Sequence, residues 1–406
     1  MRKSHLHRCP SLMLEPMEPR VLLSAENLLS TENLGFGFNR SNPRAEAAEV
    51  LDILNQQQIQ QAFTAKQTKK SVVASLAATT PTTASTIPAN GDLNPYGTAF
   101  VPNGFAKDGI LKPGDLLVSN FNNADNLQGT GTTIIRVTPD GQTSTFFQGS
   151  EDLGLTTALT VLKKGFVIVG NLPTLDGTGE TAQPGSLIVL DKNGNLVTTL
   201  AASSLIHGPW DMAVHDKGSN ATLFVSNALD GTVTRLTLKL TDSSVTLKSA
   251  TDIASGYTHR TDPSALLLGP TGLAFDAKSN KLYVASTADN AIYMIKQATK
   301  RQDDGGTGKI VIQNSQYLHG PLGMVLAPNG NLIVSNGDAI NPNPNQTSSI
   351  VEFTKSGKFI SQHSIDPASG AAFGIAIHSS DDGPIRFAAV NDDLNTVSIW
   401  TLPRKR

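Results

Sequence analysis

The chain has 406 residues, 16% of them charged, a formal net charge of −2 and a single cysteine, Cys9. That balance offers no basic excess for nucleic acid and no internal disulfide, and no apolar run reaches the 18 or so residues of a membrane span. Its 35 glycines and 22 prolines, among many Ser, Thr and Asn residues, fit an all-β protein rich in turns.

Residues 1–44 open with Arg2, Lys3 and Arg8 and then carry Leu14-Glu15-Pro16-Met17-Glu18-Pro19-Arg20-Val21-Leu22-Leu23-Ser24-Ala25. The continuous apolar stretch of an ordinary secretory signal is missing. Glu18-Pro19-Arg20, one variable residue and Leu22-Leu23-Ser24-Ala25 resemble the LEPR-XLL segment of large exported bacterial proteins, with Met17 where that pattern has Leu. The resemblance implies export, to the cell surface or beyond. Over 45–70, Val50, Leu51, Ile53, Leu54, Ile59 and Phe63 recur at helical spacing and predict a short helix. Residues 71–91 are rich in Ser, Thr, Ala and Pro and read as a linker.

From Asp92 to Pro403 the chain repeats six times, at steps of about 50–60 residues. Each unit opens on a small-residue turn and an apolar strand, as in Pro95-Tyr96-Gly97, Thr156-Thr157-Ala158, Pro209-Trp210-Asp211, Pro270-Thr271-Gly272, Pro321-Leu322-Gly323 and Ala372-Phe373-Gly374. A second apolar strand follows and ends at Asn120, Asn171, Asn227, Ser286, Asn336 or Asn391. Third and fourth strands are joined by turns such as Asp140-Gly141, Asn193-Gly194 and Ser356-Gly357. Four short strands per unit, repeated six times, predict an all-β, six-bladed β-propeller, since one blade cannot cover both its faces alone. The turn and the first two strands resemble NHL-repeat and gluconolactonase-like six-bladed propellers. The last unit supplies only three strands, so an N-terminal piece is expected to close the ring. Ser71-Val72-Val73-Ala74-Ser75 is the first candidate and Ser85-Thr86-Ile87 the second.

A site is expected where the loop entering each first strand meets the loop leaving each second strand. The asparagines there either cap turns or present amide oxygens to a hard cation such as Ca2+. Asn171, Asn227, Asn336 and Asn391 are the candidate ligands. The resemblance implies a divalent cation in this region, held by a Glu before Gly-Pro together with Asn and Asp. Here His207 and His319 stand in the place of that Glu. Imidazole suits Zn2+, and each histidine could equally cap its own loop. Asp211 lies close enough in sequence to orient His207 or to act as a ligand. Asn120, Asp125, Asp176, Asp211, Ser286 and Asp338 complete the expected ligand face, several of them in long loops after second strands. Gly305-Gly306-Thr307-Gly308-Lys309 precedes a strand and reads as a hairpin turn rather than a phosphate loop. The sequence thus leaves two functions open. One is an exported, monomeric propeller binding a small molecule or protein at the channel; the other is a metal-dependent hydrolase or lyase of lactone or ester type.

Overall fold

The computed structural model describes residues 71–200, 205–313, 316–337, 348–367, 370–380 and 383–403, together with Ile53. The chain divides into two compact units, Met1–Gln61 and Ala62–Arg406, and every described residue except Ile53 lies in the second. The export motif and, Ile53 apart, the helix expected over 45–70 fall outside the described residues.

Six four-stranded antiparallel sheets are present. Blade 1 runs Leu93–Phe100, Leu116–Asn122, Thr133–Val137, Thr143–Gln148, and blade 2 runs Leu155–Leu162, Phe166–Asn171, Ser186–Asp191, Leu196–Leu200. Blade 3 is Pro209–Asp216, Asn220–Asn227, Thr232–Leu240, Val245–Ala254, and blade 4 is Pro270–Asp276, Lys281–Ser286, Ala291–Lys296, Lys309–Gln313. Blade 5 is Pro321–Leu326, Leu332–Asn336, Ser348–Phe353, Phe359–Asp366. Blade 6 takes Ala372–Ser379, Ile385–Asn391 and Thr396–Leu402 from the end of the chain and Thr82–Ser85 from its start. A separate hairpin, Arg260–Asp262 with Leu266–Leu268, links blades 3 and 4. The six first strands touch one another in a closed cycle and line a common channel. The chain is therefore a six-bladed β-propeller, and among the described residues no helix is long and apolar enough to cross a membrane.

Burial explains the pattern of the strands. Second strands are sandwiched between neighbouring blades, so they read as unbroken apolar runs; every residue of Leu116–Asn122 and Leu332–Asn336 is buried. Fourth strands lie at the rim and keep few buried positions, as in Thr143–Gln148. Five of the six apolar clusters each join two adjacent blades, and the sixth joins blades 6 and 1 and runs on into Trp210 of blade 3, so the core is largely a ring of inter-blade seams. Gly141, Gly194 and Gly357 take φ values of 87°, 84° and 91° at the turns the sequence marked, where a side chain would be strained.

The ring closes by a segment other than the one expected first. Thr82–Ser85 pairs antiparallel with the last strand, Thr82 opposite Ile399 and Ser85 opposite Thr396. Only Ala84 of that strand is buried, so its sequence carries no apolar alternation to betray it. Ser71–Ser75 instead leads into a one-turn helix, Val73–Leu76. Val72, Val73 and Leu76 pack on Ile333, Ile350 and Trp400 between blades 5 and 6, each worth roughly 1.5–3 kcal/mol of burial. The buried Glu352 carboxylate holds the start of this helix, accepting Ser71 Oγ at 2.5 Å and Val73 N at 3.0 Å. Of the second candidate only Ser85 is in the strand; the next residue, Thr86, turns to bond the Asn395 carbonyl.

Candidate functional site in the channel

Every first strand carries an irregularity in its pairing just after its opening, for example between Pro95 and Thr98, Pro270 and Leu273, and Ala372 and Ile375. This bulge brings the third opening residue against the next blade. Four blades place Gly there, and a Cβ on Gly374 would run into the Tyr96 carbonyl oxygen. Blade 2 has Ala158. Blade 3 alone places a charged residue, Asp211.

The Asp211 carboxylate accepts Met212 N at 2.7 Å from its own strand and Leu273 N at 2.8 Å from blade 4. Burial pushes its carboxyl up to about 7, against the pull of those two N–H groups. It is the one ionisable side chain among the described residues lining a channel chamber of about 340 Å3, whose walls are otherwise aliphatic and aromatic with Thr98, Thr157 and Thr160. The lining comes from the middle and C-terminal parts of the first strands, so the chamber faces the turns that join first to second strands.

The opposite end, the loop face, is plugged. The second opening residues Tyr96, Trp210, Leu322 and Phe373 meet there, with Phe121. Tyr96 stacks on Phe121 at 4.6 Å and on Phe373 at 4.4 Å, and Trp210 sets its edge to Phe121 at 5.6 Å. Trp210 and Leu322 line both the main chamber and a cavity of about 20 Å3 beneath the Leu266–Leu268 strand, which marks the plug as the wall between them. Asp211 accordingly lies in the chamber below the plug, and neither of the roles expected for it beside His207 is the one its hydrogen bonds show.

The residues expected on the loop face have local partners. Asn171, Asn227 and Asn336 accept Gly154 N, His207 N and His319 N through Oδ1, at 2.9, 3.2 and 3.1 Å, which fixes the loop entering each first strand. Asn391 accepts Leu394 N at 3.0 Å and donates to Asp366 at 2.8 Å. Asn120 is the exception: its Nδ2 is bonded and its buried Oδ1 has no hydrogen-bond donor. Ser286 donates to Asp289 at 2.7 Å. The serines one position before the asparagines, unremarked in the sequence, join blades: Ser119, Ser226 and Ser335 donate to the carbonyls of Thr156, Thr271 and Phe373. Of the loop carboxylates, Asp125 is exposed, and Asp176 ties its own loop through Thr178 and Thr181. Glu180 accepts Thr261 Oγ1 at 3.1 Å. Asp338 lies outside the described residues.

His207 and His319 sit at equivalent positions of blades 3 and 5. His207 is oriented by Asp230, Nδ1 to Oδ2 2.6 Å, a partner the sequence reading passed over. Among the described residues, no group of three or more His, Cys, Asp or Glu side chains gathers as a metal site.

Fold and site together define a six-bladed propeller with an apolar, one-carboxyl channel closed at its loop face. No protein-family model and no curated protein matches the chain. Among solved structures, it is similar to a gluconolactonase from Xanthomonas campestris, with 13% identity over 82% of this chain and 93% of that one and a TM-score of 0.49. It is similar also to the calcium-binding protein regucalcin from Agrobacterium tumefaciens, with 13% identity over 77% and 92% and a TM-score of 0.46. A luciferin-regenerating enzyme shares 11% identity over 79% and 94%, with a TM-score of 0.47. Identities this low assign the chain to no family.

Proposed function

We propose that the protein is an exported, ligand-binding propeller whose site is the chamber around Asp211. The observation that carries the reading is a half-buried carboxyl placed where the other blades have Gly or Ala, in a chamber at the small end of ligand-pocket sizes. Met212 N and Leu273 N each take one acceptor site on a different carboxyl oxygen, which leaves further lone pairs for a donor in the chamber. The walls suit a small, mostly apolar molecule bearing one hydroxyl or amine donor. A carboxyl with its pKa near 7 accepts a hydrogen bond from an alcohol and an ion pair from an amine. Export rests on the resemblance of the N-terminal segment. The test is a thermal-shift screen of small alcohols and amines against hydrocarbons of the same shape. Alcohols and amines should stabilise the protein, and Val214→Trp, which fills the chamber, should abolish the effect. Stabilisation unchanged in Val214→Trp would sink the reading.

A second reading, hydrolysis or elimination at the loop face on a lactone or ester, draws on the His207–Asp230 pair. A carboxylate on Nδ1 leaves Nε2 as the proton-accepting nitrogen of a general base. Turnover of simple lactones or esters that falls at least about tenfold in Asp230→Asn would support it; no turnover, or turnover indifferent to Asp230, would remove it.

A further inference from the structure

Where blade 6 meets blade 1, beneath the loop that leaves the second strand of blade 6, three amide oxygens are buried without a donor: Oδ1 of Asn94, Asn120 and Asn122. Asn120 and Asn122 are 0% and 2% exposed. They stand two residues apart on one strand and so share a face. Leu116 and Val118, on that same face, pack with Val390 and Val397 of blade 6, so the two asparagines are turned toward the seam.

Hydrogen bonds chain the parts together. Asn120 Nδ2 donates to the Thr86 carbonyl at 3.0 Å, and Thr86 N donates to the Asn395 carbonyl at 3.0 Å. Asn395 Oδ1 accepts Asn94 N at 2.7 Å, and Asn395 N donates to the Asp392 carbonyl at 3.2 Å. Asn94 itself is held left-handed, with φ 59°.

The orientations of the Asn120 and Asn122 amides follow from their partners. Thr133 Oγ1 spends its proton on Asp92, so toward Asn120 it can only accept, as the Thr86 carbonyl does. Turning Asn120 over would set oxygen against oxygen. Asn122 Nδ2 faces the backbone carbonyl of Asn126 at 3.3 Å and its Oδ1 at 2.8 Å, so turning Asn122 over would set its oxygen against that carbonyl. The Asn120 and Asn122 oxygens thus remain directed away from every donor, and the Asn94 oxygen has no donor beside it, in a place where an unpaired acceptor is destabilising.

We propose that this seam is a site for a hard cation of the Ca2+ type, with Asn94, Asn120 and Asn122 as amide-oxygen ligands and the half-buried Asp392 as the charged one. All four donors are oxygen, which favours Ca2+ over Zn2+. One carboxylate predicts weak binding, of the order of 10⁻⁴–10⁻³ M. The ion would brace the seam at which the N-terminal strand closes the ring, since Thr86 directly follows that strand. The chamber around Asp211 neither needs nor predicts a metal, so the two proposals stand or fall separately.

The test uses the full chain, stripped with EDTA and titrated with CaCl2, read by bound metal per chain and by thermal shift. Expected are one Ca2+ per chain and a rise in Tm of about 3 °C or more at saturation. Asn94→Ala and Asp392→Asn should each weaken binding by about tenfold or more, and Asn122→Asp, which adds a charge once the Asn126 side-chain amide turns over to donate to it, should tighten it. Circular dichroism separates a lost site from a lost fold, and Asn122→Asp keeps the test alive if an alanine variant does not fold. No uptake at 10-fold above the expected range (about 10⁻² M), meaning ordered water only, overturns the proposal. So does uptake indifferent to all three substitutions.

Discussion

Replacing Asp211 by asparagine should turn a pH-dependent stability into a pH-independent one. The folded carboxyl titrates near 7 because burial opposes its charge, while an unfolded aspartate titrates near its ordinary value of 3.8. A raised acid pKa favours the protonated folded state. The contribution is therefore fully present below about 3.8 and lost as pH rises through 7. The whole shift is worth about 4 kcal/mol, of which roughly 2.5–3 kcal/mol falls between pH 5 and pH 8. The variant cannot ionise, but its amide NH2 must face either Met212 N or Leu273 N, at a cost of about 1–3 kcal/mol. Urea unfolding followed by the fluorescence of Trp210 and Trp400 would compare the two proteins. The wild type should be the more stable at pH 5, and the Asp211→Asn variant should match or exceed it at pH 8. A stability gap that does not move with pH would show that Asp211 ionises freely in the fold and would refute the reasoning.

Three further outcomes follow from the packing. Gly374→Ala should cost about 2 kcal/mol or more in urea unfolding, because its methyl meets the Tyr96 backbone at the blade 6–blade 1 contact. Glu352→Ala strips the acceptor from Ser71, Val73, Asn329 and Asn331 at once; it should cost about 3 kcal/mol or more and speed proteolysis within 71–76. Burial alone would raise the Asp276 carboxyl, but hydrogen bonds from Lys355 and Ser279 and the Lys355 charge bring it down to about 2. Its contribution is present above about 3.8 and lost as pH falls through 2, so Lys355→Met should flatten acid unfolding in that range.

The propeller was legible because its physics repeats. Each second strand must be apolar on both faces, and each hairpin turn needs a residue of positive φ, such as Gly141 or Gly194. The closing strand was not, since Thr82–Ser85 buries only Ala84 and satisfies a neighbour's edge through backbone groups that every sequence possesses. The asparagine positions were visible, but the entering-loop amides that Asn171, Asn227 and Asn336 serve could be paired with them only in three dimensions. Asp211 had a usable signal: it interrupts a column of Gly and Ala at the third opening position. The plug had one as well, in the column Tyr96, Trp210, Leu322 and Phe373. What no repeat alignment supplies is the direction of those side chains, which shuts the loop face and leaves the chamber to the turns.

A crystal of the protein soaked with the alcohol or amine that gives the largest thermal shift would test the central claim most directly. The account predicts the compound below the Trp210–Tyr96 plug, its hydroxyl or ammonium within hydrogen-bond distance of the Asp211 carboxylate. Density instead on the loop face, beside His207 or above Phe373, would contradict it.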